Sequence, residues 1–449
     1  MKTAIVLLLL LCRGAQAAGL LEEVIVTATR VEQQIQTTSS NISTISAASL
    51  QRVSHTHLNE AMQRVSGVWL SRGNGQESLT AIRSPVLTGA GGCGAFLATQ
   101  DGIPLQASGF CNVNEIFAAH SEIAGRIEVI KGPGSALHGS NAMHGLINII
   151  TPGIVPRQTG TDATLEGGPH DYVRMKLNHR EKTWRLDLSG TSDGGYKHDS
   201  GFDQQKATLK FANSLAPFDI TTTLSMSNLN QQTAGFVQGF EAYKTNKKDN
   251  PNPEAFRNVS TFRANSRWTR ALAGGGTLTL TPYFRYLDMA FLQHFLPGQA
   301  LEENAHTSLG MQSSWQTANG WIMGIDAERT FGFLKETQTN PTPGFLAGSI
   351  PVGKHYDYVV QAATLAGFTQ YSLELSAHAH LRIGARYEYV GYEYDNRMLS
   401  GRSKDDGMAC ASGACRFNRP EDRTDSFSNF SPKLGFTYNI GTQHQLYLH

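Results

Sequence analysis

The chain has 449 residues and a formal net charge of +1, with 38 Lys and Arg against 37 Asp and Glu. This balance gives no electrostatic footprint for nucleic acid. Charged residues are 17% of the chain, below the roughly 25% of soluble globular proteins. Beyond the N-terminus, no apolar run approaches the ~18 residues that a membrane helix needs. If the chain crosses a membrane, we therefore expect it to do so as a β-barrel.

The first 17 residues have the pattern of a secretory signal peptide. Lys2 supplies a positive start, Ile5–Leu11 an apolar core, and Ala15-Gln16-Ala17 a small-residue cleavage site. The apolar run is too short to span a membrane. We therefore predict that the protein is exported.

Four cysteines lie beyond the signal, in two local pairs: Cys93 with Cys111, and Cys410 with Cys415. An exported chain meets an oxidising compartment, so both pairs are disulfide candidates. The alternative for the second pair is a metal site, but no further pair or histidine cluster has zinc spacing. We predict no metal site and no cofactor.

A short β-prone segment, Glu23–Thr29, precedes the polar run Glu32–Ser40. On a flexible tether, such a segment can add as a strand to the sheet edge of a partner. An ordinary strand of the following domain is the alternative.

From residue 42 the chain reads as a small α/β unit. Asn41–Ile45, Val68–Leu70 and Leu79–Ile82 are predicted strands, and the apolar residues from Leu58 to Val65 have helical spacing, ending at Gly67. Further on, the predicted strands Arg126–Ile130 and Leu146–Ile150 flank a segment dense in glycine.

That segment, RIEVIKGPGSALHGSNAMHGLINIIT over 126–151, has two competing interpretations. A phosphate loop is disfavoured because no Lys-Ser/Thr closes it and Pro133 removes a backbone donor. A glycine-rich structural turn fits better. His138, Met143 and His144 include metal-ligating residue types, but their spacing fixes no geometry.

The segment closely resembles the plug-domain signature of TonB-dependent outer-membrane receptors. Further matches in the family's order are Ser66-Gly67-Val68, Ile82-Arg83-Ser84 and Asp101-Gly102-Ile103-Pro104. The family usually has glycine after that arginine, whereas this chain has Ser84 and Pro85, which leaves the local loop geometry open. The resemblance implies a TonB box that contacts the energy-transducing protein TonB; its residues are Glu23, Val24, Ile25, Val26, Thr27 and Ala28.

The resemblance also gives roles to charged plug residues. It favours Arg83, Arg126, Glu128 and Lys131 as contacts between the plug and inward-facing charges of the barrel, with solvated surface charges as the alternative. A Cys93–Cys111 bridge would close a loop of about 18 residues and stabilise the fold by roughly 3 kcal/mol. Plug loops of the family face the extracellular cavity, so this insertion is either a ligand contact or only a stabilised loop.

From about Thr161, segments of about ten residues alternate apolar and polar side chains, as membrane barrel strands do. Soluble sandwiches alternate too, but here short and long connections also alternate. Short ones, the first at Gly167–Asp171, are expected on the periplasmic side, and long ones such as Asn228–Asn258 and Asp395–Asp425 outside. Trp and Tyr flank several strands, as interfacial girdles would.

We count roughly thirteen strands against the about 22 that the resemblance implies, and bacterial barrels have even strand numbers. The predicted fold is therefore an α+β plug domain inside an antiparallel transmembrane β-barrel that is incomplete because the sequence is truncated. The predicted domains are 1–17 (signal peptide), 18–41 (TonB box and linker), 42–155 (plug) and 156–449 (partial barrel).

The loop from Asp395 to Asp425 carries the second cysteine pair among basic residues, of which Arg402, Lys404 and Arg416 are possible contacts for an anionic ligand such as a ferric chelate. Acidic residues in the same loop dilute the positive field, and a solvated loop is the alternative.

The resemblance implies active uptake across the outer membrane of a Gram-negative bacterium. The expected partners are TonB with its inner-membrane motor complex, outer-membrane lipid and an extracellular small molecule, most commonly a ferric siderophore or other metal chelate. We expect a monomer that binds no nucleic acid. Haem, cobalamin and oligosaccharides remain open as ligands, and a passive porin-like or adhesin barrel remains the alternative function. The sequence has no H-E-x-x-H motif, and we expect no enzymatic activity.

Overall fold

The computed structural model describes residues 25–26, 30, 33–34, 38, 40–73, 75–86, 95–110, 115–292, 298–440 and 444–448. A small α+β domain occupies the N-terminal part of this range, and a single curved sheet makes up the rest. Among the described residues, no helix is both long and apolar enough to cross a membrane.

The small domain, which we call the plug, has nine strands and three short α-helices within the described residues. The strands are β1 Ile25–Val26, β2 Gln33–Gln34, β3 Asn41–Ser46, β4 Val68–Arg72, β5 Ser78–Ile82, β6 Phe96–Gln100, β7 Ile103–Pro104, β8 Arg126–Lys131 and β9 Gly145–Ile150. The helices are α1 Ala47–Val53, α2 Leu58–Met62 and α3 Ser135–His138, with 3-10 turns at Glu115–Ala118 and Ser121–Ile123.

The main plug sheet has the order β3-β8-β9-β6-β7, and β6 pairs with β9 in parallel while the other pairs are antiparallel. Its core is aliphatic, with Ile127, Val129, Ile147 and Ile149 fully buried. At Gly145 φ is +157°, and an added Cβ would lie 2.3 Å from the carbonyl oxygen of Ile130. Only glycine fits such a close backbone approach, which explains one of the glycines of the 126–151 segment.

The remaining described strands form the barrel wall. They are β10 Gly160–Gly168, β11 Tyr172–Arg180, β12 Trp184–Asp193, β13 Phe202–Leu215, β14 Phe218–Gln232, β15 Phe256–Ala271, β16 Thr277–Leu292, β17 Ala300–Gln316, β18 Trp321–Gln338, β19 Gly353–Glu374, β20 Ala379–Asn396, β21 Arg423–Ile440 and β22 His444–Leu448. The loops carry α4 Ala242–Thr245 and a 3-10 turn at Gly344–Leu346.

These thirteen described strands form one antiparallel sheet in sequence order, open between β10 and β22. The sheet curves around the plug, so its two faces differ. In β18, Asp326 and Glu328 contact plug residues, whereas the alternate residues Ile325 and Phe331 are 59% and 49% exposed on the outer face. The prediction of a plug within an antiparallel barrel wall of about thirteen strands is confirmed.

The assignment of one connection was wrong. Gly167–Asp171 joins β10 to β11 and therefore lies at the same edge as the long loops, not with the other short turns. The sequence reading missed the turn at 181–183 between β11 and β12. That turn, Glu181-Lys182-Thr183, contains neither Gly nor Pro, so the usual signal for a break was missing.

Candidate functional site

The interface between plug and wall contains several clusters of polar and charged side chains. In the first, the Glu122 cluster, Lys206 Nζ lies 3.0 Å from Glu122 Oε2 and donates to the carbonyl oxygen of Ala119 at 2.9 Å. The ring of His120 lies between two wall hydroxyls, with Nδ1 2.9 Å from Thr208 Oγ1 and Nε2 2.9 Å from Ser189 Oγ. Plug residues 119–122 are therefore held against the wall by an ion pair and by hydrogen bonds.

Burial and the ammonium of Lys206 together decide the protonation states in this cluster. Burial lowers the pKa of His120 to about 4, although Glu122 opposes the effect. Burial alone would raise the pKa of Glu122, but the ammonium of Lys206 and its hydrogen bond hold that pKa well below its usual range. At neutral pH the plug therefore presents a neutral histidine and a carboxylate to the wall.

The second cluster, the Arg30 cluster, connects the N-terminal segment to the wall. Arg30 Nη1 and Nη2 bind Asp326 Oδ1 and Oδ2 at 3.1 and 2.7 Å, and Arg30 Nε donates to the carbonyl oxygen of Leu137 at 3.0 Å. Arg386 donates to the same Asp326 at 2.7 Å and to Glu388 Oε2 at 2.7 Å. Glu388 in turn accepts from the backbone N of Ser140 in the plug at 3.2 Å.

Further contacts occur along the same wall. Arg285 donates to Glu328 Oε1 at 2.8 Å and to the carbonyl oxygen of Pro104 at 2.6 Å, and the backbone N of Ser108 donates to Glu328 Oε1 at 3.0 Å. Elsewhere Arg257 Nε lies 2.9 Å from Glu77 Oε1. The wall thus supplies both signs of charge to the plug. Lys206, Arg257 and Arg285 bind plug carboxylates or backbone carbonyls, and three wall carboxylates accept from plug donors: Asp326, Glu328 and Glu388.

A cavity of about 610 Å³ lies between the plug and strands β16 to β20. Plug residues 104–110 and 138–144 border it on one side, and Asp326, Glu328, Arg386 and Tyr392 on the other. Its lining mixes aromatic, amide, imidazole and ion-paired groups. This composition suits a polar, partly aromatic small molecule.

Three of the four charged plug residues singled out from the sequence have partners within the plug. Arg126 Nε lies 2.7 Å from Glu128 Oε1 on the same strand, and Lys131 Nζ donates to the carbonyl oxygen of Ser66 at 3.3 Å. Arg83 is exposed, with φ +51°. That these residues hold the plug in the barrel stays a prediction. The wall contacts described above involve residues that the sequence did not single out. Strand alternation indicates which side chains face inward, but it does not indicate which plug residue an inward charge contacts.

Two predicted features lie mostly or wholly outside the described residues. Of the TonB-box residues, Glu23, Val24, Thr27 and Ala28 are not described, while the backbone of Ile25–Val26 pairs antiparallel with Gln33–Gln34. Cys93 and Cys111 are both outside the described range.

The long loop between β20 and β21 is organised by the second cysteine pair. A disulfide joins Cys410 and Cys415, and the backbone N of Arg416 donates to the carbonyl oxygen of Ser349 in the neighbouring loop at 2.9 Å. Arg402 Nε donates to the carbonyl oxygen of Cys415 at 2.9 Å. The side chains of Arg402 and Arg416 are exposed and that of Lys404 is half-buried, so these residues are at the loop surface.

Arg419, which the sequence did not single out as a ligand contact, is buried in the same loop. It donates to four backbone carbonyls: those of Leu399 and Ser403 at 2.6 Å and those of His355 and Lys404 at 3.2 Å. It therefore acts as the packing centre of the loop, not as a surface cation.

Two family models match this chain. TonB-dependent Receptor Plug Domain covers residues 34–146, and TonB dependent receptor-like, beta-barrel covers residues 171–448. Together they span most of the sequence and divide it where the structure changes from plug to wall.

Solved structures share the fold at low sequence identity. The ferric-catecholate import receptor Fiu from E. coli, in its open form, has 16% identity and a TM-score of 0.69 over 92% of this chain and 70% of its own. The ferric yersiniabactin uptake receptor FyuA from Yersinia pestis has 14% identity and a TM-score of 0.68 over 91% of this chain and 63% of its own. The unliganded ferric citrate transporter FecA has 14% identity and a TM-score of 0.72 over 92% of this chain and 62% of its own.

Proposed function

Because the chain belongs to the TonB-dependent receptor family, we propose that it imports a scarce metal chelate, most commonly a ferric siderophore, across the outer membrane of a Gram-negative bacterium. The family consists of transport receptors, not enzymes, as the sequence predicted. The chain spans about two thirds of the length of the three receptors, so the ligand, the energy source, the monomeric state and the domain boundaries given above all form part of this proposal.

The observation that carries the proposal is the Arg30 cluster. Arg30 follows the β1 strand by four residues and binds both Asp326 of the wall and the carbonyl oxygen of Leu137 in the plug. A pull on β1 from the periplasmic side would therefore load this cluster before any other described plug–wall contact. Because β1 is paired with β2 along one edge, the segment would add to a partner sheet through its other edge or after leaving that pairing.

The ligand side of the proposal depends on the cavity and on the long loops. The cavity of about 610 Å³ is in the range of small-molecule sites. Arg402 and Arg416 add exposed positive charge to the disulfide-linked loop, and positive charge attracts an anionic chelate over several ångströms.

Uptake of radioactive iron tests the proposal directly. Cells that lack their own receptors and express this protein are given ferric enterobactin, ferric citrate or ferric hydroxamate. We expect saturable uptake of at least one chelate that stops on adding an uncoupler. A porin-like barrel would instead give uptake that survives the uncoupler.

A pair of matched variants separates energy coupling from folding. Ile25→Pro removes a backbone donor from the segment that would pair with TonB, whereas Ile25→Val keeps it. We expect the first variant to bind chelate at the cell surface without importing it and the second to import normally. Equal import by both variants would exclude strand addition at this segment.

A further inference from the structure

A second cavity, of about 560 Å³, lies on the outer face of the barrel wall. We call it the outer groove. Two rows of paired residues cross it, and each row contains one small residue. In one row Ile325 is opposite Gly367, which is opposite Tyr387 and then Phe430; in the other, Met323 is opposite Thr369 and then Ala385.

Strand alternation fixes the side of the wall on which the groove lies. Asp326 faces the plug, so its neighbour Ile325 faces outward and is 59% exposed. Tyr387 and Phe430 are 56% and 62% exposed on the same face. Between these large side chains, a Cβ added to Gly367 would meet no described heavy atom within 4 Å. The outer face of the wall therefore has an open depression at Gly367, bordered by these larger side chains.

The floor of the groove is largely apolar, although Thr369 Oγ1 is buried there without a hydrogen-bond partner among the described residues. Ser313 Oγ both donates to the carbonyl oxygen of Ile325 and accepts from its backbone N, each at 2.9 Å. The strand pairing is interrupted here, between Gln312–Asp326 and Trp315–Met323, and the hydroxyl bridges the break. Among the described lining residues, none carries a charge.

The groove begins at one end of the wall. Trp315 lies next to the last residue of β17, and Trp321, the first residue of β18, has its ring 4.6 Å from that of Tyr371. This end carries the short turns, which face the periplasm in such barrels. Aromatic residues of this kind mark the level of the lipid headgroups, so the groove runs from that level into the hydrocarbon layer.

We propose that the outer groove binds one acyl chain of a phospholipid from the periplasmic leaflet. This proposal rests on the proposed outer-membrane location. In that location the groove is a depression in the lipid-facing surface of the wall. An uncharged, apolar groove that starts at an aromatic girdle fits a single hydrocarbon chain with its headgroup at the girdle. Because Gly367 has no side chain, an acyl chain in the groove can contact the backbone of the wall directly. These dispersion contacts would not form on a wall without the groove.

Tryptophan quenching by lipids with brominated acyl chains tests this site. The full protein, with four of its five tryptophans replaced by phenylalanine, is placed in phospholipid nanodiscs that contain a small fraction of brominated lipid. One variant keeps Trp315 in the groove; its matched control keeps Trp268, which faces outward near the same edge but does not line the groove. We expect stronger quenching of Trp315 than of Trp268 at equal brominated fraction.

Filling the groove provides the second readout. Gly367→Leu should weaken retention of phospholipid in native mass spectrometry by about tenfold, the equivalent of two lost methylene contacts. Ala385→Leu fills the same space from the next strand and serves if the first variant does not assemble. Ala363→Leu, outward on β19 but outside the groove, should retain the lipid.

The proposal is overturned if Trp315 is quenched no more than Trp268, if both filled variants retain phospholipid, or if the retained molecule is lipopolysaccharide. Neither readout uses an imported ligand or an energy source. A failure here therefore leaves the import proposal standing, and a failure of import leaves these measurements interpretable.

Discussion

Replacing Arg30 by alanine tests the connection between the N-terminal segment and the plug. The side chains of Arg30 and Asp326 are only 10% and 12% exposed, and hydrogen bonds to charged groups contribute roughly 1.5–3 kcal/mol each. The loss is smaller than for an isolated buried pair because Arg386 still neutralises Asp326. After the rotamer entropy of a freed arginine is subtracted, we expect a net cost of about 2 kcal/mol, or about 30-fold in a local equilibrium.

Hydrogen exchange of the intact protein measures this cost where it acts. The amides of Leu137 and His138 donate to the carbonyl oxygen of Gly134, and the carbonyl of Leu137 is the acceptor that Arg30 binds. In Arg30→Ala both amides should exchange about 30-fold faster, while the amide of Val129 in the central sheet stays unchanged.

Arg52→Ala, on the exposed face of α1, is the matched control and should change neither set of amides. Unchanged exchange at Leu137 would refute the reasoning, because the hydrogen bonds of Arg30 would then not stabilise the turn around Leu137. Equal acceleration at Val129 would also refute it, because the variant would then unfold the plug as a whole.

Three further predictions concern the interior of the plug and its contact with the wall. Glu122→Gln leaves the ammonium of Lys206 buried without its carboxylate, and we expect the docked plug to lose about 3 kcal/mol, read as faster proteolysis of the plug in situ; unchanged proteolysis would contradict this. His120 makes the docking of the plug depend on pH, because burial lowers its pKa from 6.5 to about 4. The free energy of docking is most favourable above pH 6.5 and weakens by roughly 3 kcal/mol as the pH falls to about 4. Below that pH this group causes no further loss. Protection factors, that is exchange rates corrected for the intrinsic pH dependence of amide exchange, that match at pH 5 and pH 7 would exclude this pH dependence of docking. Gly145→Ala places a Cβ against a backbone carbonyl, whereas Gly153→Ala meets no described atom within 4 Å; the first should lower the unfolding free energy of the plug by roughly 2 kcal/mol and the second should not, as measured by denaturant titration.

The sequence predicted most of the fold because the fold depends on local patterns. Period-two alternation identifies wall strands such as Thr277–Leu292 without reference to any neighbour. The turn at 181–183 was missed for the same local reason, since it contains no residue that breaks a strand. The contacts that seat the plug are different in kind. Lys206 and Glu122 are 84 residues apart, and Arg30 and Asp326 are 296 apart, so only the three-dimensional arrangement identifies them as partners.

Asp326 connects the N-terminal segment to the glycine-rich segment of the plug through shared ion pairs. It binds Arg30, which follows β1, and Arg386, which also binds Glu388; Glu388 accepts from Ser140. When Arg30 leaves, Asp326 has only Arg386 as a partner, and that arginine is shared with the carboxylate that holds the plug. Asp326→Asn should therefore speed exchange at Ser140 as well as at Leu137, whereas Arg30→Ala should speed exchange chiefly at Leu137 and His138. If exchange at Ser140 is unchanged in Asp326→Asn, the two ends of this cluster act independently and the wall does not couple them.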